Sequence, residues 1–277
     1  MLPVVNRFPA SRGLAWLAGS WGLVKRQPVR LLLIGLFFQF MLSFSQADLF
    51  GLLLVLCLPV LSAGMLQAFH VVGRGEKPLL VVLFLPFTER FAVSRLLLLG
   101  GVVLVLGLVL VTSVLAGHAM DVDPSMLSRI EQGEVDLLTV IDPVVLEKAL
   151  LAMALAAALS GLMTYFPVPL IWFSRAATGQ ALLVGLRALG RNWRPLLLLG
   201  FLLGLLLVPI ALLFGGIYLS AVSGEAAPTW LALLSILLGA LFQLLLFGTQ
   251  YLAFRDIFGI DEPDTAGERE NGDQLLA

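Results

Sequence analysis

Charged residues are scarce in this sequence and absent from the middle of its long apolar runs. Only 13 % of the 277 residues are charged and 60 % are hydrophobic, whereas soluble domains average about 25 % charged and 45–50 % apolar residues. The composition therefore predicts an integral membrane protein. Apolar runs without ionisable residues also lack the usual markers of pumps, proton relays and voltage sensors.

Cysteine and histidine are also nearly missing. Cys57 is the single cysteine, which excludes an intramolecular disulfide and a thiolate metal cluster. His70 and His118 lie in segments predicted on opposite sides of the membrane, so they cannot share a metal ion. The sequence contains no zinc signature, phosphate-binding glycine loop or serine-elbow motif. We therefore predict no enzymatic activity and no cofactor or metal, with a membrane enzyme that lacks a sequence signature as an open alternative.

The apolar runs predict an all-α, polytopic bundle of six transmembrane helices. A bilayer core of about 30 Å needs about 20 helical residues. The run from Val29 to Phe69 would make one helix of about 60 Å, so we expect it to turn back at the break from Ser45 to Asp48. The predicted spans are 29–45, 49–69, 96–115, 149–173, 196–219 and 230–254.

The basic residues predict the orientation of these spans, because cytoplasmic loops carry an excess of Lys and Arg. Fifteen of the seventeen fall in the N-terminal segment, the 70–95 loop, the 174–195 loop or the tail, and only Arg129 and Lys148 fall elsewhere. Both termini are therefore predicted in the cytoplasm. The acidic loop 116–148 is predicted on the opposite face, with short helices beginning at Pro124 and Pro143. Residues 1–260 are predicted to form the membrane domain, and 261–277 a disordered acidic tail.

Similar strings open three of the spans and predict three helical hairpins in tandem. RLLLIG begins at Arg30, RLLLLG at Arg95 and RPLLLLG at Arg194. Leucine-rich sequences also match by chance, so true internal repetition stays open.

The segments before the spans predict amphipathic helices that lie along the cytoplasmic face of the membrane. In 178–194, leucines and a tryptophan recur at helical spacing beside an arginine stripe, and 11–27 has a similar pattern. Pro28 and Pro195 are expected to separate these helices from the spans, and 79–87 is expected to be interfacial or re-entrant. We predict contact with anionic lipid headgroups by six basic residues, with orientation alone as the alternative role: Lys25, Arg26, Arg30, Arg187, Arg191 and Arg194.

Polar residues inside the spans are all neutral. Gln243 and Gln250 share a helix face, and they either line a polar path or bond to a neighbouring helix. Small residues are predicted to form close-packing faces on two spans: Gly200 with Gly204, and Ala157 with Gly161. Pro59, Pro167, Pro169 and Pro209 are expected to interrupt or kink three spans.

Several stretches resemble a family of uncharacterised proteobacterial inner-membrane proteins. They include the run from Leu186 to Gly200, the run from Arg12 to Pro28, and LPVLSAGM from Leu58. More distantly, the surface helix followed by a hairpin is similar to the membrane domain of some glycerophosphodiester phosphodiesterases. The resemblance implies a multi-pass protein of the bacterial inner membrane, with the acidic loop in the periplasm, and it transfers no catalytic or binding residue.

The first functional hypothesis is a non-enzymatic scaffold or accessory protein in envelope or lipid organisation. Its partners would be the lipid bilayer and an unidentified membrane protein, and no nucleic acid. The alternative is a channel or transporter for a neutral or lipid-like solute. The Gln, Ser and Thr side chains discriminate between the two, because convergence on a cavity favours transport and scatter among packed helices favours a scaffold.

Overall fold

The structure is a computed structural model that describes residues 4–43, 48–115, 143–223 and 228–259. Every regular element within these ranges is helical, and a short 3₁₀ helix (Leu80–Phe84) precedes α4. The α-helices are α1 (Arg12–Arg26), α2 (Pro28–Ser43), α3 (Asp48–Gly73), α4 (Leu85–Thr88), α5 (Arg90–Leu115), α6 (Pro143–Tyr165), α7 (Pro167–Ser174), α8 (Thr178–Arg191), α9 (Trp193–Val222) and α10 (Thr229–Phe258). The tail 261–277 and loop residues 116–142 lie outside the described residues.

Five of the helical segments are long and apolar enough to cross a membrane. They are Gly51–Gly73, Arg90–Val114, Glu147–Ser174, Trp193–Ser220 and Thr229–Phe258, and they correspond to the second to sixth predicted spans. The all-helical class is therefore confirmed, and the five long apolar helices agree with the predicted membrane character. The first predicted span corresponds to α2, whose 16 residues extend only about 24 Å, less than a bilayer core of about 30 Å.

Helix α3 is the central helix of the bundle. More than half of its most apolar window, 56 %, is buried, against 11–28 % for the other four long segments. It packs against α5, α10, α7 and the 3₁₀ helix. At Gly64 the backbone of Leu83 approaches so closely that a Cβ would overlap it. Because the other four long segments are mostly unburied, they carry large exposed apolar surfaces, as expected of helices in contact with lipid.

The fourth span is interrupted by proline, as predicted. Helix α6 ends at Tyr165 and α7 begins at Pro167, with Phe166 between them. Pro167 and Pro169 supply no backbone N–H, so neither can continue the hydrogen-bond ladder of α6. Pro59 and Pro209, by contrast, lie inside the continuous helices α3 and α9.

The two predicted surface helices are α1 and α8, and the residues that directly follow them are a glutamine and an asparagine. Helix α1 ends before Gln27 and α2 begins at Pro28, so the predicted break there is confirmed. The predicted break at Pro195 is wrong, because α8 ends before Asn192 and α9 begins at Trp193. Pro195 lies in the first turn of α9, where its missing N–H has no helical acceptor.

The helix that begins at Pro143 differs in length from the sequence prediction. Pro143 begins a helix as predicted, but that helix is the long α6 rather than a short loop helix. The 79–87 segment forms the 3₁₀ helix and α4. Its Leu83 is fully buried against α3, whereas Leu79, Val81 and Phe87 are 60 %, 66 % and 40 % exposed, so the interfacial assignment stays a prediction.

Candidate functional site

Two adjoining cavities lie among the long helices. One, of about 430 Å³, is lined chiefly by α2, α3, α5, α6 and α10. The other, of about 670 Å³, is lined chiefly by α3, α6, α9 and α10. We call them together the paired cavity, because they share five lining residues: Ser62, Gly161, Thr164, Leu246 and Phe247.

Small residues create this space instead of closing it. Gly161 of α6 lines both cavities and Gly200 of α9 lines the larger one. A Cβ added at Gly161, Gly200 or Gly204 would meet nothing within 4 Å, and Ala157 is exposed. The prediction that these residues form close-packing faces is therefore wrong for contacts between helices of this chain. Glycine leaves a gap wherever the neighbouring helix does not move in to fill it.

The paired cavity reaches the outer surface of the bundle. Gly161, Leu162 and Gly200 line the larger cavity and are themselves exposed. They lie on the apolar helices α6 and α9, which flank the opening. A molecule within the hydrophobic layer of a bilayer would therefore meet this opening without first entering water.

The lining is neutral and mixed in polarity. Among the described residues that line the two cavities, none is acidic, basic or histidine. Apolar side chains alternate with six polar ones that the sequence had placed inside the spans: Ser62, Ser160, Thr164, Tyr165, Gln243 and Gln250. Such a wall accommodates a neutral molecule, because an ion would lose its hydration without gaining an opposite charge.

The proline interruption explains the position of Gln250. In a continuous helix the N–H of residue 169 would donate to the carbonyl of Tyr165, but Pro169 has no N–H. Gln250 of α10 donates to that carbonyl instead, from Nε2 at 2.6 Å. Gln250 is therefore a structural bond between helices as well as a lining residue.

Gln243 lies one heptad earlier on α10 and has a different environment. Its Nε2 is buried without a hydrogen-bond partner, and its side chain lines the smaller cavity. The Oε1 of Gln39, on α2 beside Gly239, is also buried without a partner. The unsatisfied donor thus belongs to a residue that lines the smaller cavity, and the unsatisfied acceptor lies near Gly239, which also lines it.

The Tyr165 hydroxyl is a third buried polar atom without a partner. Thr249 lies close to it, but the two hydroxyls do not meet in hydrogen-bonding geometry. The Thr249 hydroxyl donates to the carbonyl of Leu246 at 2.8 Å instead. Buried polar groups in native proteins are nearly always hydrogen-bonded, so the three unpaired atoms of Gln39, Tyr165 and Gln243 are exceptions within the described residues.

Other polar residues of the spans do not join the cavity. Ser43, Thr112, Ser113 and Ser235 donate to backbone carbonyls of their own helices. Gln67 accepts a hydrogen bond from the Trp172 indole at 2.9 Å. These groups line neither cavity and are therefore not candidates for solute contact there.

The basic residues predicted to contact headgroups gather near one end of the bundle. Arg26 donates to the carbonyl of Gly73, and Arg30 to that of Pro78. Lys25 lies over Trp21, and Arg194 over Trp193, at 5.3 and 5.4 Å from the ring centroids. Arg187 and Arg191 are exposed on α8.

Asp256 forms a contact at this end that the sequence did not indicate. Its Oδ2 accepts hydrogen bonds from Arg12 Nε and Trp16 Nε1, each at 2.7 Å. The carboxylate raises the pKa of the Arg12 guanidinium above its ordinary value, chiefly by hydrogen bonding. The contact ties α1 to the end of α10.

Asn192 holds the N-terminal segment. Its Oδ1 accepts from Phe8 N at 3.0 Å, and its Nδ2 donates to the carbonyl of Asn6 at 2.8 Å. Asn192 is fully buried, so both halves of its amide are paired. An isolated asparagine between two helical patterns gives no sequence signal for this role.

No metal site is apparent in the described ranges, which contain no group of three or more His, Cys, Asp or Glu side chains able to hold an ion. His70 is in contact with Tyr251, its Nδ1 lying 3.2 Å from the tyrosine hydroxyl. His118 lies outside the described residues.

Comparison with known proteins identifies no relative. No protein-family model matches the chain, and neither a curated protein nor a solved structure matches it. The paired cavity and the basic end of the bundle therefore carry the functional argument.

Proposed function

We propose that this protein binds a neutral, lipid-like solute in the paired cavity and moves it within, or across, the bacterial inner membrane. The supporting observation is the convergence of Ser62, Thr164 and Gln243 on one neutral cavity. Scattered among packed helices, these residues would have favoured a scaffold. The unsatisfied polar atoms and the lateral opening fit a solute with an apolar body and a few neutral hydrogen-bonding groups.

Solute transfer in proteoliposomes tests this function. Fluorescent diacylglycerol and a fluorescent fatty alcohol are suitable neutral probes. Gln243→Leu should lower binding and transfer about tenfold, equivalent to about 1.4 kcal/mol. Gln180→Leu is the matched control, because Gln180 is exposed on α8 and lines neither cavity. Equal transfer by the wild type, by Gln243→Leu and by empty liposomes would contradict the proposal.

The proposal includes six spans arranged as three hairpins, with α2 as a short first span and both termini in the cytoplasm. Asn6 N donates to the carbonyl of Ile257 at 2.8 Å, which supports a common side for the two ends of the described chain. Single cysteines at Ser125 and Thr265, in a Cys57→Ala background, test the orientation. Thr265→Cys should resist an impermeant maleimide in intact cells and Ser125→Cys should react. Labelling of Thr265→Cys from outside would reject this topology.

We also propose that α1 and α8 lie at the headgroup level on the cytoplasmic side. Helix α8 buries Ala181, Gly185 and Ala188 against the bundle, whereas α1 buries Trp16 and Leu23, and both helices leave other large apolar residues outward. Leu14 and Trp21 of α1 are 55 % and 42 % exposed, and Leu186 of α8 is 44 % exposed. This arrangement supports a headgroup role for the predicted basic residues on these helices.

A scaffold or accessory role is the second candidate. One observation favours it, which is the exposed apolar face of α9. Phe201, Leu205 and Leu212 are 69 %, 61 % and 72 % exposed, so a partner helix has room to pack there. A photo-crosslinker at position 201 should then capture one defined protein in native membranes, whereas exclusive crosslinking to lipid would contradict the scaffold role.

A further inference from the structure

A groove near the basic end of the bundle has the composition of a phospholipid site. It lies between the first half of α2 and the segment that leads into the 3₁₀ helix. Its volume is about 650 Å³, within the range of about 300–1,000 Å³ typical of small-molecule sites. Its lining combines one guanidinium with apolar and proline side chains, among them six residues: Arg30, Leu33, Phe37, Pro78, Leu79 and Leu80.

Arg30 is fixed in the groove without an opposite charge. Its Nη1 donates a long hydrogen bond of 3.4 Å to the carbonyl of Pro78. Ion pairs in the described ranges join Arg12 to Asp256 and Arg74 to Glu76, so no described carboxylate pairs with Arg30. The residue is half-buried, and a partly desolvated guanidinium is stabilised by an anionic ligand.

The rest of the groove suits an acyl chain. Leu33 and Leu79 are 59 % and 60 % exposed, so the groove presents apolar surface to its occupant. Phe37 packs edge to face against Phe84 with ring centroids 5.9 Å apart, which holds one wall in place. A soluble phosphate would leave this apolar length uncovered, whereas the chain of a phospholipid would bury it at about 25 cal/mol per Å².

We propose that this groove binds an anionic phospholipid, with its phosphate on Arg30 and one acyl chain along α2. The site shares no lining residue with the paired cavity. It therefore stands independently of the solute proposed above.

Native mass spectrometry of the full-length protein, titrated with phosphatidylglycerol and in parallel with phosphatidylcholine, tests the site. Arg30→Gln should weaken retention of phosphatidylglycerol about tenfold and leave phosphatidylcholine unchanged. The matched control is Arg7→Gln, which removes an exposed arginine that neither lines the groove nor belongs to the six predicted headgroup contacts, and it should have little effect. Equal weakening by the two variants would reduce the effect to general surface charge and overturn the proposal.

A second variant tests the acyl chain. Leu33→Trp should narrow the groove while leaving Arg30 and the buried core in place, so it should also weaken phosphatidylglycerol retention. A phosphatidylglycerol with a diazirine on its acyl chain should label peptides from 28–43 and 78–84. Unchanged retention by Leu33→Trp, labelling confined to other segments, or full displacement by glycerol phosphate would overturn the acyl-chain assignment.

Discussion

Gln250 donates to the backbone carbonyl of Tyr165 at 2.6 Å, and this is the carbonyl that Pro169 leaves without a helical donor. A side chain of α10 therefore completes the hydrogen bonding of the interrupted span. The same face of α10 carries Gln243, whose Nε2 has no partner. Two glutamines seven residues apart thus differ in environment, since Gln250 bonds to a neighbouring helix and Gln243 lines the smaller cavity with its Nε2 unpaired.

Replacing the two glutamines should separate stability from solute binding. Gln250→Leu leaves the Tyr165 carbonyl buried and unpaired, so the free energy of unfolding should fall by about 1–3 kcal/mol. Gln243→Leu removes an amide that has no partner for its Nε2, so its stability should stay within about 0.5 kcal/mol of the wild type. Reversible unfolding in mixed micelles measures both values.

The proline explanation has its own test. Pro169→Ala restores a backbone N–H that can donate to the Tyr165 carbonyl. Gln250→Leu should therefore lower the free energy of unfolding less in that background than in the wild type. A double-mutant cycle measures the difference. The same cost in both backgrounds would mean that Gln250 stabilises the protein in another way.

The hydrophobic runs were sufficient to predict five long helices, because about 20 apolar residues in a row have few alternatives to a span. They were insufficient for α2, where length is marginal, and for the end of α8, which lies at Arg191 and not at Pro195. The paired cavity was not predictable, since glycines on a span have the same pattern whether the neighbouring helix closes in or stays apart. Asp256 and Asn192 were missed because their partners lie far away in sequence.

Glycines at close helix contacts should be intolerant of alanine. A Cβ at Gly64 would overlap the backbone of Leu83, and backbone cannot rotate away as a side chain can. Gly64→Ala should therefore lower the free energy of unfolding by about 1–3 kcal/mol. Gly190→Ala is the control, since nothing lies within 4 Å of its Cβ position, and its stability should change by about 0.5 kcal/mol or less.

Filling the paired cavity should block the solute. Gly161→Leu places a side chain into both cavities, whereas Gly204→Leu adds the same volume on α9 outside them. Binding of the neutral probe should fall about tenfold for Gly161→Leu, by about 1.4 kcal/mol, and stay at the wild-type level for Gly204→Leu. Equal binding by the two variants would place the solute elsewhere.

Asp256 should contribute mainly as a hydrogen-bond acceptor. The Arg12 side chain is 44 % exposed, and exposed ion pairs contribute only about 0–1 kcal/mol. Trp16, however, is 2 % exposed, and its indole N–H needs an acceptor. Asp256→Asn should therefore lower the free energy of unfolding by about 1 kcal/mol or less, and Asp256→Leu should lower it by about 1–3 kcal/mol. Thermal unfolding measures both changes. A larger loss for the asparagine variant would assign the stabilisation to charge.

The contacts of Asn6 and Asn192 have a consequence for biosynthesis. Asn6 bonds to residues about 250 positions later in the chain, and ribosomes add about 5–20 residues per second. Residues 4–11 and α1 are thus synthesised tens of seconds before their binding site on α10 exists. We expect α1 to wait at the membrane surface while the spans insert, and to dock only after translation of α10. Helix α1 is therefore made first and assembled last.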